Sequence, residues 1–131
     1  MMKKYTAFVL LFAVALGAFA QTKPAPKKEQ DYYEIKTLPI PKEIYLEVGG
    51  LATMPDGRLA VSTRRGEIWI VENPYQKTSH QTYYRRFASG LHEVLGLAYK
   101  DGAFYCSQRG ELTKISDTDR DGVADEYETV F

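Results

Sequence analysis

Two stretches of this sequence repeat the same turn chemistry and decide the fold. They are GGLATMPDGRLAVSTRRGEIWIVEN (residues 49–73) and LGLAYKDGAFYCSQRGELTKISD (residues 95–117). Three short signals recur between them after 46, 45 and 44 residues: Gly-Leu-Ala from Gly50 and Gly96, Asp-Gly from Asp56 and Asp101, and Arg-Gly-Glu from Arg65 and Arg109. A period in the forties is typical of repeat proteins, and the four-stranded blade of a β-propeller has this length.

The segments between these turns predict β-strands. RLAVST (58–63), EIWIVE (67–72) and AFYCSQ (103–108) are rich in β-branched, aromatic or alternating apolar residues, and Asp-Gly is a tight-turn dipeptide. TYYRRFA (82–88) predicts a fourth strand of the first repeat. The fold class is therefore all-β, and the repeat favours a propeller of which about two blades are present. A small sandwich or meander of hairpins is the alternative.

Two blades do not close a ring, because propellers have about four to eight. The sequence stops at Phe131, within the predicted fourth strand of the second blade, DEYETVF (125–131). We therefore expect an incomplete propeller, truncated at its carboxyl end.

The first 31 residues predict an export signal and a linker. Lys3 and Lys4 precede an apolar run over residues 7–20 that ends in Ala-Phe-Ala, so we expect cleavage after residue 20. An uncleaved anchor is the alternative, but the run is too short to span about 30 Å of hydrocarbon, so no stable membrane span remains after cleavage. Residues 21–31 read as a flexible Pro- and Lys-bearing linker, residues 32–131 as the blades, and the location as periplasmic or extracellular.

Composition excludes several classes of function. Lysine plus arginine equal aspartate plus glutamate at 17 each, which argues against a nucleic-acid partner. One cysteine and two histidines exclude an internal disulfide, a zinc cluster and a c-type haem attachment motif within this sequence. Cys106 lies among strand residues and is expected to be a small buried apolar group.

The stretch DTDRDGVADEYE (117–128) matches the spacing of a calcium loop. Calcium takes six to eight oxygen ligands, and a glycine at position 6 permits the sharp turn. Arg120 is expected to be the only cation near this loop, so the carboxylates of an empty loop would repel one another. The predicted ligands are Asp117, Asp119, Asp121, the Val123 carbonyl, Asp125 and Glu128.

The flanks of this loop are strand-like rather than helical. ELTKIS precedes it and YETVF follows it, so we expect the loop to join the third and fourth strands of a blade. Ala124 occupies a position where a larger apolar residue usually supports such a loop. The alternative is a solvated turn in which each aspartate caps backbone amides.

A second group of residues is expected at the mouth of the propeller channel. His92 precedes the innermost strand of the second blade, and its imidazole is suited to general-base chemistry. Arg64, Arg65, Gln108 and Arg109 lie in the turns between second and third strands, where arginines could bind an anionic cofactor or substrate through bidentate contacts. The alternatives are an exposed loop histidine, and arginines that pair with Glu67 and Glu111. His80 is expected to be a surface loop residue.

Residues 33–131 resemble the start of the glucose/sorbosone dehydrogenase-like propeller family, of the large exported bacterial kind often fused to a c-type haem domain. The resemblance rests on GLATMPDGRLAVSTRRGEIWIVEN and on GLHEVLGLAYKDGAFYCSQRGELTKISDTDRDGVADEYETVF. It implies a six-bladed propeller, oxidation of a sugar or polyol with pyrroloquinoline quinone, and an electron acceptor such as a c-type cytochrome. The alternative function is a non-catalytic, calcium-stabilised module that binds carbohydrate or protein.

Overall fold

The computed structural model describes residues 26–75 and 82–131, which contain two four-stranded antiparallel sheets and no α-helix. The all-β prediction is confirmed. The predicted signal lies outside the described residues, as do residues 21–25 of the predicted linker and His80. No helix among the described residues is long and apolar enough to cross a membrane.

The chain divides into two units, residues 1–35 and residues 36–131. In the described part of the first, Glu29–Asp31 forms a single turn of 3-10 helix. The Asp31 carboxylate accepts a 2.8 Å hydrogen bond from the Lys28 amide, and the Lys27 ammonium lies 5.3 Å from the centre of the Tyr32 ring. Both sheets belong to the second unit, in which the first strand begins at Val48.

Each sheet is a meander whose strands pair in chain order. Sheet A consists of β1 (Val48–Thr53), β2 (Leu59–Thr63), β3 (Ile68–Glu72) and β4 (Tyr83–Ala88). Sheet B consists of β5 (Gly96–Lys100), β6 (Ala103–Ser107), β7 (Leu112–Ser116) and β8 (Glu126–Thr129). The Asp-Gly turns have the predicted hairpin geometry, since Gly57 and Gly102 both adopt a φ of 86°.

One hydrophobic core lies between the two sheets. Ile68 and Ile70 of sheet A and Phe104 and Ile115 of sheet B belong to it and are almost fully buried. The Phe104 ring meets the Phe87 ring edge to face, with 5.0 Å between centroids. Because sheet A supplies Phe87 and sheet B supplies Phe104, this contact holds the two sheets together.

The first strands of the two sheets, β1 and β5, lie close to each other, and two glycines permit this approach. A Cβ atom on Gly49 would collide with the carbonyl oxygen of Val94. A Cβ atom on Gly50 would lie 2.7 Å from the amide nitrogen of Leu97. Real Cβ atoms do not come this close to a backbone atom, so any larger residue would push the two strands apart.

The meander places the connections at two opposite ends of the sheets. The β2–β3 turn, the β4–β5 connection and the β6–β7 turn share one end, which we call the His92 end. The β1–β2 turn, the β5–β6 turn and the β7–β8 loop share the other, which we call the Asp117 end. The two predicted sites therefore lie at opposite ends of the sheets.

Replacement of Gly49 by alanine is expected to destabilise the fold by about 1–3 kcal/mol, because the new methyl group would collide with the backbone of Val94 in the segment that leads into β5. Gly110→Ala is the matched control, since a Cβ at Gly110 meets no atom within 4 Å. Urea denaturation of both variants measures the difference. Equal stability of the two would contradict the packing described for β1 and β5.

Candidate functional site

Three of the predicted metal ligands come together in the β7–β8 loop. One carboxylate oxygen from each of Asp117, Asp119 and Asp121 lies within 4.8 Å of the other two. Two oxygens on opposite sides of a calcium ion are about 5 Å apart, because the calcium–oxygen distance is about 2.3–2.6 Å. The spacing of the three carboxylates therefore fits a shared calcium ion.

The backbone of the loop is shaped by the same three carboxylates. The amide of Gly122 donates to Asp117 Oδ2 at 2.9 Å, and the amide of Val123 donates to Asp121 Oδ1 at 2.7 Å. The amide of Asp121 donates to Asp119 Oδ1 at 3.2 Å. Such bonds are also expected of a loop that is only an Asp-capped turn.

One carboxylate oxygen, in Asp117, is not explained by an Asp-capped turn. Asp117 Oδ1 is buried and has no hydrogen-bond partner within the described part of the chain. A buried carboxylate oxygen without a donor costs free energy, because it loses its hydration and gains nothing in return. A cation held by the three aspartates would satisfy this atom, so the residues present fit a metal ion.

Two hydrogen bonds connect the loop to β4 of sheet A. The guanidinium group of Arg85 donates to the carbonyl oxygen of Gly122, and the amide of Ala124 donates to the carbonyl of Phe87 at 2.8 Å. Ala124 also packs against the hydrophobic core. The small residue that seemed unusual in the sequence thus lets the loop lie close to sheet A.

Arg85 is the residue of this site that the sequence did not reveal. The expectation that Arg120 is the only cation near the loop is wrong, because the fold brings Arg85 from 37 residues away. A Cβ atom on Gly122 would collide with the Arg85 guanidinium, and Gly122 also has a φ of 93°. The positive φ is the constraint that favours glycine here, because the Arg85 guanidinium is the end of a flexible side chain and can shift away from a Cβ atom.

The carboxylates of Asp125 and Glu128 have protein partners of their own. Asp125 accepts hydrogen bonds from the amide and the hydroxyl of Thr118, at 2.8 and 2.5 Å, and these bonds lower its pKa. Glu128 lies in β8 and accepts from the Lys114 ammonium at 3.1 Å. Neither belongs to the cluster of three, so their role as ligands, like that of the Val123 carbonyl, stays a prediction.

At the His92 end, the β4–β5 connection contacts both of the turns that carry the predicted residues. The carbonyl of His92 accepts from the Arg109 amide at 3.2 Å, and the carbonyl of Gly66 accepts from the Leu91 amide at 3.0 Å. The amide of His92 also donates to the Gln108 side-chain oxygen. The fold thus brings the turns around Arg65 and Arg109 together with the exposed His92.

The arginines at this end are engaged in local contacts. Arg64 pairs with Glu47 at 3.1 Å, and Arg109 pairs with Glu93 at 3.4 Å. The Arg65 guanidinium lies 5.2 Å from the centre of the Tyr45 ring. The ion pairs that the sequence suggested with Glu67 and Glu111 are therefore not the ones formed.

Those two glutamates have other partners. Glu67 accepts from Arg86 at 3.3 Å and from the indole of the half-buried Trp69 at 3.0 Å. Glu111 accepts from the Gln108 amide group at 2.9 Å and from the hydroxyl groups of Thr113 and Thr129. The two hydroxyl contacts lower the pKa of Glu111. Gln108 is thus committed to a polar network within the protein.

Cys106 is fully buried in the core, as expected from its place in a strand. Burial, with a smaller contribution from the charge of Glu111, raises its pKa to about 11. At pH 7 only about one such thiol in ten thousand is ionised.

We predict that Cys106 resists thiol reagents in the native protein and reacts once urea unfolds it. Rapid reaction without denaturant would contradict its burial.

The same shift predicts a loss of stability at alkaline pH. The thiol has its ordinary pKa near 9 in the unfolded chain and about 11 in the folded one. The contribution of the buried, un-ionised thiol to stability is therefore fully present below pH 9. The free energy of unfolding should fall as the pH rises from about 9 towards 11. Cys106→Ala is the control, because it should show a smaller decline over that range in urea denaturation.

Comparisons with protein-family models, with curated proteins and with solved structures found no match for this chain. The chemistry at the two ends of the sheets is therefore the basis for the function proposed.

Proposed function

We propose that the chain forms two consecutive blades of a β-propeller and that its aspartate loop binds calcium. The propeller interpretation is supported by two four-stranded meanders of similar sequence whose first strands lie side by side. It is also supported by the recurrence of Gly-Leu-Ala at the start of both meanders. On this proposal the molecule is a non-catalytic, calcium-stabilised module that binds carbohydrate or protein.

The observation that carries the calcium proposal is the buried oxygen of Asp117, which has no hydrogen-bond partner among the residues that the structure describes. The cluster is made of carboxylates alone, and carboxylate oxygens are the ligands that calcium prefers. Export, with cleavage after Ala20, belongs to the same proposal. Calcium outside cells is near millimolar, so even a site with a Kd of about 10⁻⁴ M would be filled there.

A bound ion would act on the junction between the sheets. It would offset the repulsion among Asp117, Asp119 and Asp121 and fix the loop, which Arg85 and Phe87 connect to sheet A. At ten times its Kd, a ligand that binds only the folded state stabilises it by about 1.4 kcal/mol. The role proposed for calcium is therefore structural.

Calcium is expected to bind with a Kd of about 10⁻⁴ M or below and to raise the melting temperature. Asp117→Asn should abolish both effects, because it removes the charge of the half-buried carboxylate. Asp101→Asn is the matched control, since Asp101 is exposed in the β5–β6 turn at the same end. Isothermal titration calorimetry and thermal melts measure the effects. Binding that Asp117→Asn leaves intact would refute the proposed site.

A second candidate function is quinone-dependent oxidation of a sugar or polyol at the His92 end. It is favoured by the convergence there of an exposed histidine and the two Arg-Gly-Glu turns. His92 would serve as the base that accepts a proton from the substrate hydroxyl. Arg64 and Arg109 do not fit a quinone carboxylate as they stand, because each is paired with a glutamate.

A dye-reduction assay separates the two functions. The chain is given pyrroloquinoline quinone, calcium and a panel of sugars and polyols, and its turnover is compared with that of His92→Ala. Turnover that depends on His92 would support the oxidoreductase. Retention of a sugar without turnover, measured by calorimetry, would support the binding module.

A further inference from the structure

A cavity of about 400 Å³ lies between the two sheets near the His92 end. The segment that follows β4 forms one wall, and the β6–β7 turn with strands β7 and β8 forms the other. The residues that line it are Ser89, Gly90, Leu91, Gln108, Glu111, Thr113 and Tyr127. Cavities of roughly 300–1,000 Å³ hold small-molecule ligands, so this one is large enough for a small ligand.

Glu111 brings a carboxylate into this cavity without a cationic partner among the described residues. The hydrogen bonds that it accepts there come from neutral donors, namely the Gln108 amide group and the hydroxyls of Thr113 and Thr129. These hydroxyl bonds lower its pKa, so the carboxylate is ionised at neutral pH. Other glutamates at this end each pair with an arginine: Glu47, Glu67 and Glu93.

The carboxylate is held in a fixed position by its neutral donors. Thr113 is only 3 % exposed, and Gln108 and Glu111 are half-buried. The side-chain oxygen of Gln108 accepts in turn from the amide of His92, which connects the two walls of the cavity. A ligand that binds Glu111 therefore finds the charge already oriented, which reduces the entropic cost of binding.

The other side chains of the cavity suit a sugar ring. Tyr127 lines it and is 45 % exposed, so its ring offers apolar contact area and a hydroxyl group. Ser89 is exposed and adds a second hydroxyl, which both donates and accepts hydrogen bonds. A pyranose has apolar C–H faces and hydroxyl groups around its edge, and this lining complements both.

We propose that this cavity binds an amino sugar, with the ammonium group paired to Glu111 and the ring against Tyr127. The ammonium group would give the carboxylate the cationic partner that it lacks in the described part of the chain. A neutral sugar would supply only hydroxyl donors, which Glu111 already has. The inference rests on the carbohydrate-binding function proposed above and names the class of ligand.

Titration of the unchanged chain with glucosamine tests the site, with amide chemical shifts measured by NMR. At about pH 6 the carboxylate is ionised and the amine is protonated. Glucose and N-acetylglucosamine are the matched ligands, because both keep the ring and lack the positive charge. Glucosamine is expected to bind about fivefold more tightly than either and to shift the amides of Glu111, Thr113 and Tyr127.

Glu111→Gln should abolish this preference, so that glucosamine binds no better than glucose. Glu126→Gln is the control, since Glu126 is exposed on β8 and does not line the cavity. A preference that survives in Glu111→Gln would overturn the proposal. So would equal binding of the three sugars by the unchanged chain, or binding of none, and these two results need no variant.

The same titrations separate this inference from the function on which it rests. Binding of sugars without preference for glucosamine would overturn the amino-sugar site and leave carbohydrate binding in place. Calcium titration of Glu111→Gln reports on the aspartate loop, which lies at the other end of the sheets and should bind as in the unchanged chain.

Discussion

The close approach of β1 and β5 is the constraint on which the rest of the structure depends. Gly49 and Gly50 remove the side chains that would otherwise strike the backbone around Val94 and Leu97. With these two strands in contact, Phe87 and Phe104 can meet and a buried hydrophobic core forms between the sheets. The same approach sets where the β4–β5 connection and the β7–β8 loop lie, and so it positions the chemistry at both ends.

The two ends differ in how their charges are balanced. At the His92 end, Arg64 and Arg109 pair with Glu47 and Glu93, so positive and negative groups largely offset one another. At the Asp117 end, three carboxylates face one another and one buried oxygen has no donor in the described part of the chain. Because of this imbalance, cation binding at the aspartate loop is better supported than oxidation of a sugar or polyol at the His92 end.

Local chemistry explains what the sequence could predict. Asp-Gly turns and alternating apolar residues specify hairpins over a few residues, so the strands from β1 to β8 and the buried Cys106 were predictable. Contacts between distant segments were not. Arg85 approaches Gly122 only because β4 of one sheet lies beside the loop of the next, and no local pattern carries that information. The partners of Glu67 and Glu128 were missed for the same reason, since cross-strand neighbours depend on register.

The most direct test of the account is hydrogen exchange of backbone amides with and without calcium. The central claim is that an ion in the aspartate loop strengthens the junction between the sheets through Arg85 and the bond from the Ala124 amide to Phe87. The account predicts that calcium slows exchange in residues 117–125 and also in β4. Exchange that slows only within the loop would contradict the coupling between the sheets, and unchanged exchange throughout would contradict the calcium site itself.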